Sequence, residues 1–157
     1  MSSPEITGVT FRDYEQGDFR RLCELDQACF EPDIAYSPEE IALALSQRRS
    51  FAIVAASGRD RSDVVGFVLA SLDRTSLGHI VTIDIHAEHR RKSIGRNLMD
   101  HAEGRLSAMG ARRVVLEVAT ENFPAISFYQ ARGYIHRRKL PRYYRDGSDA
   151  YLMEKAL

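Results

Sequence analysis

Residues 89–96, HRRKSIGR, bring His89, Arg90, Arg91, Lys92 and Arg96 to one junction. A turn ends near Glu88, and apolar residues at helical spacing begin after Ser93. A helix N-terminus already carries about half a positive charge and normally attracts Asp or Glu. Cations stacked there are either solvated or gathered around an anion. First-turn N–H groups without partners, a glycine at 95 that lets a ligand approach the backbone, and basic side chains together suit a phosphate or pyrophosphate. Glu117, in RRVVLEVA, is a second residue able to do chemistry. Alternation puts Val115, Glu117 and Ala119 on one face of a strand and Val114, Leu116 and Val118 on the other. A carboxylate in so apolar a strand is expected to be partly buried, which favours proton uptake. An ion pair with Arg112 or Arg113 is the competing use. His79, Asp84 and His86, in HIVTIDIH, are further titratable side chains on the preceding strand.

These groups need a scaffold, and the apolar periodicity outlines one. VTFRDY reads as a first strand, and DFRRLCELDQACF as a helix with Phe19, Leu22, Leu25 and Cys29 on its apolar side. SPEEIALALSQ carries a helix start: Ser37 as N-cap, Pro38 at the first position and Glu40 three after the cap. FAIVAA and VVGFVLASLD are strands split by the polar turn SGRDRSD, and HIVTIDIH is a fourth strand. A long helix is expected from about Ser93 to Met109, ended by Gly110. RRVVLEVA is a fifth strand, PAISFYQAR a short helix stopped by Gly133, and AYLMEKA the last strand. A sixth strand and a long turn fill YIHRRKLPRYYRDGSD. The order is β-α-α-β-β-β-α-β-α-β-β. It describes an α+β fold with a mixed, mostly antiparallel sheet of about seven strands, a central βαβ unit and flanking helices. The whole of 1–157 reads as one domain. Strands 79–86 and 112–119 should be parallel through a right-handed crossover. Ligands of such units bind beyond the carboxyl ends of the strands, where the cationic run lies.

Composition limits the alternatives. Lys plus Arg and Asp plus Glu are 22 each, so the formal net charge is zero, unlike a general nucleic-acid binder. Cys23 and Cys29, six apart on one expected helix, read as packed thiols in a reducing compartment; they suit neither a disulfide framework nor zinc, and no metal is expected. No apolar run reaches a membrane span and MSSPEITG is no signal peptide, so a cytoplasmic protein without membrane or nucleic-acid partners is expected. Neither GxxxxGK[ST] nor GxGxxG occurs, which removes support for nucleotide hydrolysis and hydride transfer.

RRKSIG, Arg90 to Gly95, resembles the [Q/R]xxGx[G/A] segment of the GNAT superfamily of N-acetyltransferases. NFPAISFYQARGY resembles its NxxAxxxYxxxG[F/Y] segment, and YYRDGSDAYLM and LEV are similar to the ribosomal-protein-alanine acetyltransferase branch. The likeness is best over residues 79–157. Ser93 stands where the phosphate segment has its first glycine.

The resemblance implies acetyl-CoA as cosubstrate, its pyrophosphate held by Arg90, Arg91, Lys92, Ser93, Ile94, Gly95 and Arg96. Backbone groups of Ile83, Asp84 and Ile85 would pair with the amide-bearing pantetheine arm like an added strand. Asn122 would bind the cofactor or cap the following helix, or do both. It further implies Tyr129 as proton donor to the departing thiolate, and Glu117, twelve residues earlier, as the base that takes the proton from the attacking amine. Tyr36, Tyr143 and Tyr144 would hold a peptide N-terminus. An α-amine, with pKa near 8, is roughly a tenth neutral at pH 7, whereas lysine is neutral in only about one part in a few thousand. A modest carboxylate base suits the former. The expected activity is therefore direct acetyl transfer to the N-terminal α-amine of a protein or peptide. Acetylation of a lysine or small-molecule amine, or a non-catalytic acyl-CoA-binding module, are the alternatives.

Overall fold

A computed structural model describes residues 8–58 and 63–157. The first seven residues of MSSPEITG and the middle of the SGRDRSD turn lie outside the described residues. The elements follow the expected order: β1 (Val9–Asp13), α1 (Phe19–Cys29), α2 (Pro38–Ser46), β2 (Ser50–Ser57), β3 (Asp63–Leu72), β4 (Leu77–Ile85), α3 (Ile94–Ala108), β5 (Arg113–Ala119), α4 (Phe123–Ala131), β6 (Ile135–Leu140) and β7 (Ala150–Ala156).

Local chemistry accounts for several boundaries. Ser37 Oγ accepts from the Glu40 N–H at 3.1 Å while Glu40 Oε1 accepts from the Ser37 N–H at 3.1 Å, so the expected capping box starts α2. Gly110, at φ 102°, ends α3 in the left-handed region that a Cβ disfavours, and the Ala111 N–H reaches back to Leu106 O.

Among the described residues seven strands lie in the order β1-β2-β3-β4-β5-β7-β6, and only β4 and β5 are parallel. Leu98, Met99, Ala102 and Leu106 of α3 pack on one face against Ile53, Val68, Val114 and Leu116. Leu22 and Leu25 of α1 pack on the other against Val54, Phe67 and Leu69. Each such buried leucine contributes roughly 1.5–3 kcal/mol by leaving water. Between these layers the sheet forks. β4 and β5 pair only from Leu77–His79 to Arg113–Val115. The β3–β4 register then jumps from Ala70↔Ile80 to Leu69↔Thr82, leaving Val81 as a bulge. Bulges bend a strand and increase its twist. Beyond His79, β4 stays with β3 and β5 with β7, opening a cleft between them.

One buried acid ties α3 to β7 and to the junction of α4 and β6. Glu103 of α3, 8% exposed, accepts from Tyr134 Oη at 3.0 Å and Arg132 Nε at 3.3 Å, and it pairs with Lys155 Nζ of β7. Removing one partner of a buried ionic cluster strands the rest. Glu103→Ala should therefore destabilise the fold by about 3 kcal/mol, lowering Tm by roughly 6–12 °C. Thermal denaturation of the variant checks this.

Candidate active site

The chain leaves β4 through a tight turn at Ala87–His89 and enters α3 through Arg90–Ser93. Arg91 and Ser93 both have left-handed backbones, φ 63° and 62°. Side chains at such positions cost roughly 1–2 kcal/mol each. The conformation turns successive amides toward one concavity, an arrangement that binds anions. The first helical bond runs from the Asn97 N–H to Ser93 O at 3.1 Å, so the N–H groups of Ile94, Gly95 and Arg96 have no acceptor within the helix. Arg91, Lys92 and Arg96 are exposed. Arg12, Arg113 and Arg132 find Asp18, Glu154 and Glu103, whereas Arg91, Lys92 and Arg96 have no such acid among the described residues.

Three residues of the segment act otherwise than the sequence suggests. Arg90, expected at the phosphate, turns back: Nε donates to Ile85 O at 3.2 Å and Nη2 reaches Cys29 Sγ at 3.7 Å, tying the loop to β4 and α1. Ile94 offers only its amide, because its side chain is 1% exposed in the core. At Gly95 a Cβ would stand 3.0 Å from Ile85 Cδ1 and 3.5 Å from Phe128 Cζ. The glycine seats α3 against β4 and α4.

The open edge of β4 can be assigned from its ladder. The His86 N–H donates to Val65 O at 2.8 Å, so alternation directs the backbone groups of Asp84 to Phe67 on β3 and those of Ile83 and Ile85 to the cleft. Asp84 is thus not an edge donor as expected. The Ile85 carbonyl is already taken by Cys29 Sγ at 3.4 Å and by Arg90. Ile83 N–H and C=O and Ile85 N–H remain for an extended, amide-bearing ligand.

At the root of the fork, Glu117 Oε2 lies 2.7 Å from His79 Nε2. Glu117 is half-buried on the face shared with Val115 and Ala119, as alternation requires. Its partner is neither Arg112 nor Arg113: Arg113 Nη1 is 2.7 Å from Glu154 Oε1. The Glu117 side chain is 17% exposed, so the pair is open to the cleft. Asp84, the rival acid, is 1% exposed and bonded to Thr82 Oγ1 at 2.7 Å. His86 is committed to capping the Ala87–His89 turn, where its Nδ1 accepts from the Glu88 N–H at 3.2 Å.

Three tyrosines surround Glu117. Tyr36, from the α1–α2 connection, donates from Oη to Val81 O at 3.3 Å. Tyr143 and Tyr144, from the β6–β7 connection, pack edge to face at 5.0 Å. Burial raises the phenol pKa of Tyr36, Tyr143 and Tyr144, and the Glu117 charge raises all three further. An ion pair between Arg145 and Glu40 joins the β6–β7 connection to the first turn of α2. Tyr129, on α4, is 9% exposed with its ring edge-on to Tyr134 at 5.8 Å. Burial foremost, with the ionisable Asp84 and Tyr144 nearby, pushes its phenol pKa above the usual range, so it is a neutral donor. Asn122 caps α4, its Oδ1 accepting from the Ala125 N–H at 3.3 Å, which leaves its NH₂ group for other work.

Sequence reasoning passed over Asp26 and the Arg145–Glu40 bridge. Asp26 did leave a trace: it sits on the apolar stripe Leu22, Leu25, Cys29 of α1 and is 0% exposed. The bridge left none, since its partners are 105 residues apart. Among the described residues no group of three or more His, Cys, Asp or Glu could hold a metal, and no helix is long and apolar enough to cross a membrane.

This geometry has relatives. N-alpha-acetyltransferase 30 of Schizosaccharomyces pombe is 30% identical over 148 residues, 91% of this chain and 95% of that protein. An N-acetyltransferase of Methanocaldococcus jannaschii is 40% identical over 93 residues, 59% of each chain. The chain spans about half the length, 48%, of the Saccharolobus solfataricus N-alpha-acetyltransferase that it matches at 37% identity. The crystal structure of Ard1 from Thermoplasma volcanium superposes with a TM-score of 0.86 at 25% identity, covering 96% of this chain and 99% of that one. The profile of the acetyltransferase (GNAT) family matches residues 19–134, running from α1 through the phosphate-suited loop and the forked strands to Tyr134. The chain is a member of that family.

Proposed function

We propose that this chain, working as one domain in the cytoplasm, transfers acetyl from acetyl-CoA to the α-amine at the N-terminus of a protein or peptide. The observation that carries this is the Glu117–His79 pair at the fork of β4 and β5, walled by Tyr36, Tyr143 and Tyr144. Acetyl-CoA supplies the activated acyl group and a leaving thiolate. Its fit is supported by the free amides of Ile94–Arg96, the unpaired Arg91, Lys92 and Arg96 side chains and the open backbone of Ile83. Those amides and cations hold its pyrophosphate, and the β4 edge aligns its extended arm. Glu117 accepts a proton from the incoming amine, and His79 fixes the carboxylate's orientation. Tyr129 Oη holds the proton that is delivered at the other side of the reaction. The Arg145–Glu40 bridge ties the β6–β7 connection to the start of α2, just after Tyr36, and so narrows the approach to this point, which suits a slender chain end better than a side chain on a bulky surface. Relatives named N-alpha-acetyltransferases support the same acceptor class.

Incubation with acetyl-CoA and peptides whose α-amine is free or blocked, each with and without lysine, tests the assignment by mass spectrometry. One added acetyl on free N-termini is expected; acetylation of lysine alone, or of small amines alone, overturns the acceptor class. The cofactor site has its own test. Arg91→Ala with Lys92→Ala should weaken acetyl-CoA binding about 10–100-fold by removing two charge-assisted contacts, read as a smaller ligand-induced rise in Tm. An undiminished rise would place the cofactor elsewhere.

A further inference from the structure

Two carboxyl groups lie in the core with no role in the chemistry above. Asp26 of α1 is 0% exposed and Asp84 of β4 is 1% exposed. Each has one oxygen accounted for. Asp26 Oδ2 accepts from the Tyr36 N–H at 2.6 Å, and Asp84 Oδ1 accepts from Thr82 Oγ1 at 2.7 Å. The other oxygens, Asp26 Oδ1 and Asp84 Oδ2, are buried and meet no donor. Cys29, one turn after Asp26 on α1, donates from Sγ to Ile85 O at 3.4 Å, which sets the Asp26 face of α1 against β4 beside Asp84. A buried acceptor left unpaired costs about 1–3 kcal/mol, and two buried carboxylates side by side cannot both stay ionised. One proton between the two orphan oxygens satisfies both and removes one of the two charges. Asp84 is the natural holder: burial, followed by the adjoining Asp26 carboxylate, raises its affinity for a proton far above the usual carboxylate range.

We propose that Asp26 and Asp84 share a single proton and that this pair, through the charged Asp26 oxygen on the Tyr36 amide, is the device that positions Tyr36 at the acceptor end of the cleft. Tyr36 is held at three points: its N–H by Asp26, its carbonyl by Gln27 Nε2 at 3.3 Å, and its hydroxyl by Val81 O. Only the first is charge-assisted, and such bonds are about twice as strong as neutral ones. Tyr36 also lines an apolar groove of about 300 Å³ with Ile41, Ala44, Leu69 and Val81, so its position shapes two walls at once. Asp26 and Asp84 are positioning residues, because neither reaches the cleft. The acceptor role of Tyr36 rests on the function proposed above.

The pair gives the site a pH dependence of definite sign. The groups facing it are Cys23 and Cys29 on α1, Arg90 on the β4–α3 connection, Tyr36 on the α1–α2 connection and Tyr129 on α4. Arg90 alone among them carries charge at neutral pH, and it partly opposes the raised pKa of Asp84. The folded state holds the proton more tightly than the unfolded chain does. The stability it provides is therefore complete below the ordinary carboxylate range and is lost as pH rises through the raised value. Above that value the two carboxylates repel and the Tyr36 tether loosens.

The test compares the wild type with Asp84→Asn, whose NH₂ replaces the shared proton and cannot titrate, and with Asp26→Ala, which removes the tether. The Tyr36 amide resonance is followed by NMR against pH, and the KM for a peptide acceptor is measured in parallel. The wild-type amide should titrate, with its KM rising at alkaline pH relative to that of Asp84→Asn. Asp84→Asn should hold the amide at its low-pH position throughout. Asp26→Ala should raise KM about tenfold with a smaller change in kcat. Should Asp26→Ala fail to fold, Asp26→Asn should remove the titration in the same way. A Tyr36 amide that titrates alike in wild type and Asp84→Asn, or a wild-type KM in Asp26→Ala, overturns the proposal. If no peptide is acetylated by any form, the acceptor reading fails, yet the amide titration still decides whether the proton is shared.

Discussion

Tyr129→Phe lowers kcat about 10²–10⁴-fold, the usual worth of a positioned general acid, and leaves acetyl-CoA affinity nearly intact. The substitution deletes one oxygen and keeps the ring against Phe128 and Tyr134, so the fold and the cofactor cleft should be undisturbed. Burial, foremost, raises the phenol's pKa, which makes it a donor throughout the range in which the protein works. A group that acts protonated loses its function as pH rises through its folded pKa. Because that pKa is raised, any alkaline loss of kcat below the usual tyrosine range must come from another residue. The measurements are steady-state turnover and isothermal titration with acetyl-CoA on both proteins. Wild-type turnover in the Phe variant removes Tyr129 from the mechanism. A large loss of acetyl-CoA affinity would make it a binding residue instead.

What the sequence conveyed is what periodicity and local chemistry can encode. The capping box at Ser37 and the glycine stop at Gly110 depend on residues within a turn or two of one another, and the parallel setting of β4 and β5 follows from the helix between them. The alternation that turned Glu117 outward from Val114, Leu116 and Val118 is equally local. The assignments that changed were set by tertiary contact. Arg90 and Arg91 are adjacent and chemically identical, and the approach of Ile85 and Cys29 turns one back onto β4 and α1. Gly95 is small because Ile85 and Phe128 crowd it. The bulge at Val81 carries no turn residue to announce it, yet it helps decide whether Ile83 or Asp84 offers its backbone to the cleft. Glu117 finds His79 because three residues of parallel pairing bring Val115 level with His79 before the strands part. No local pattern predicts that register.

Glu117→Gln should lower kcat/KM for an α-amine peptide at pH 7 by about 10²–10⁴-fold, and the loss should shrink as pH rises. Glutamine keeps the shape and can still hydrogen-bond His79 Nε2, but it cannot take a proton. An α-amine is roughly a tenth neutral at pH 7 and mostly neutral by pH 9, so deprotonation by solvent can restore no more than about tenfold. His79→Gln should cost less, because His79 orients the carboxylate without receiving the amine's proton in this scheme. The double variant should be little worse than Glu117→Gln alone, since residues acting as a unit are strongly non-additive. Asp84→Asn should cost far less near neutral pH, its carboxyl being 1% exposed and turned toward Asp26. pH–rate profiles of all four variants at saturating acetyl-CoA distinguish the schemes. A healthy Glu117→Gln beside a crippled His79→Gln would move the base to the histidine. A crippled Asp84→Asn with an intact Tyr36 amide signal would move it into the core of β4, which its burial argues against.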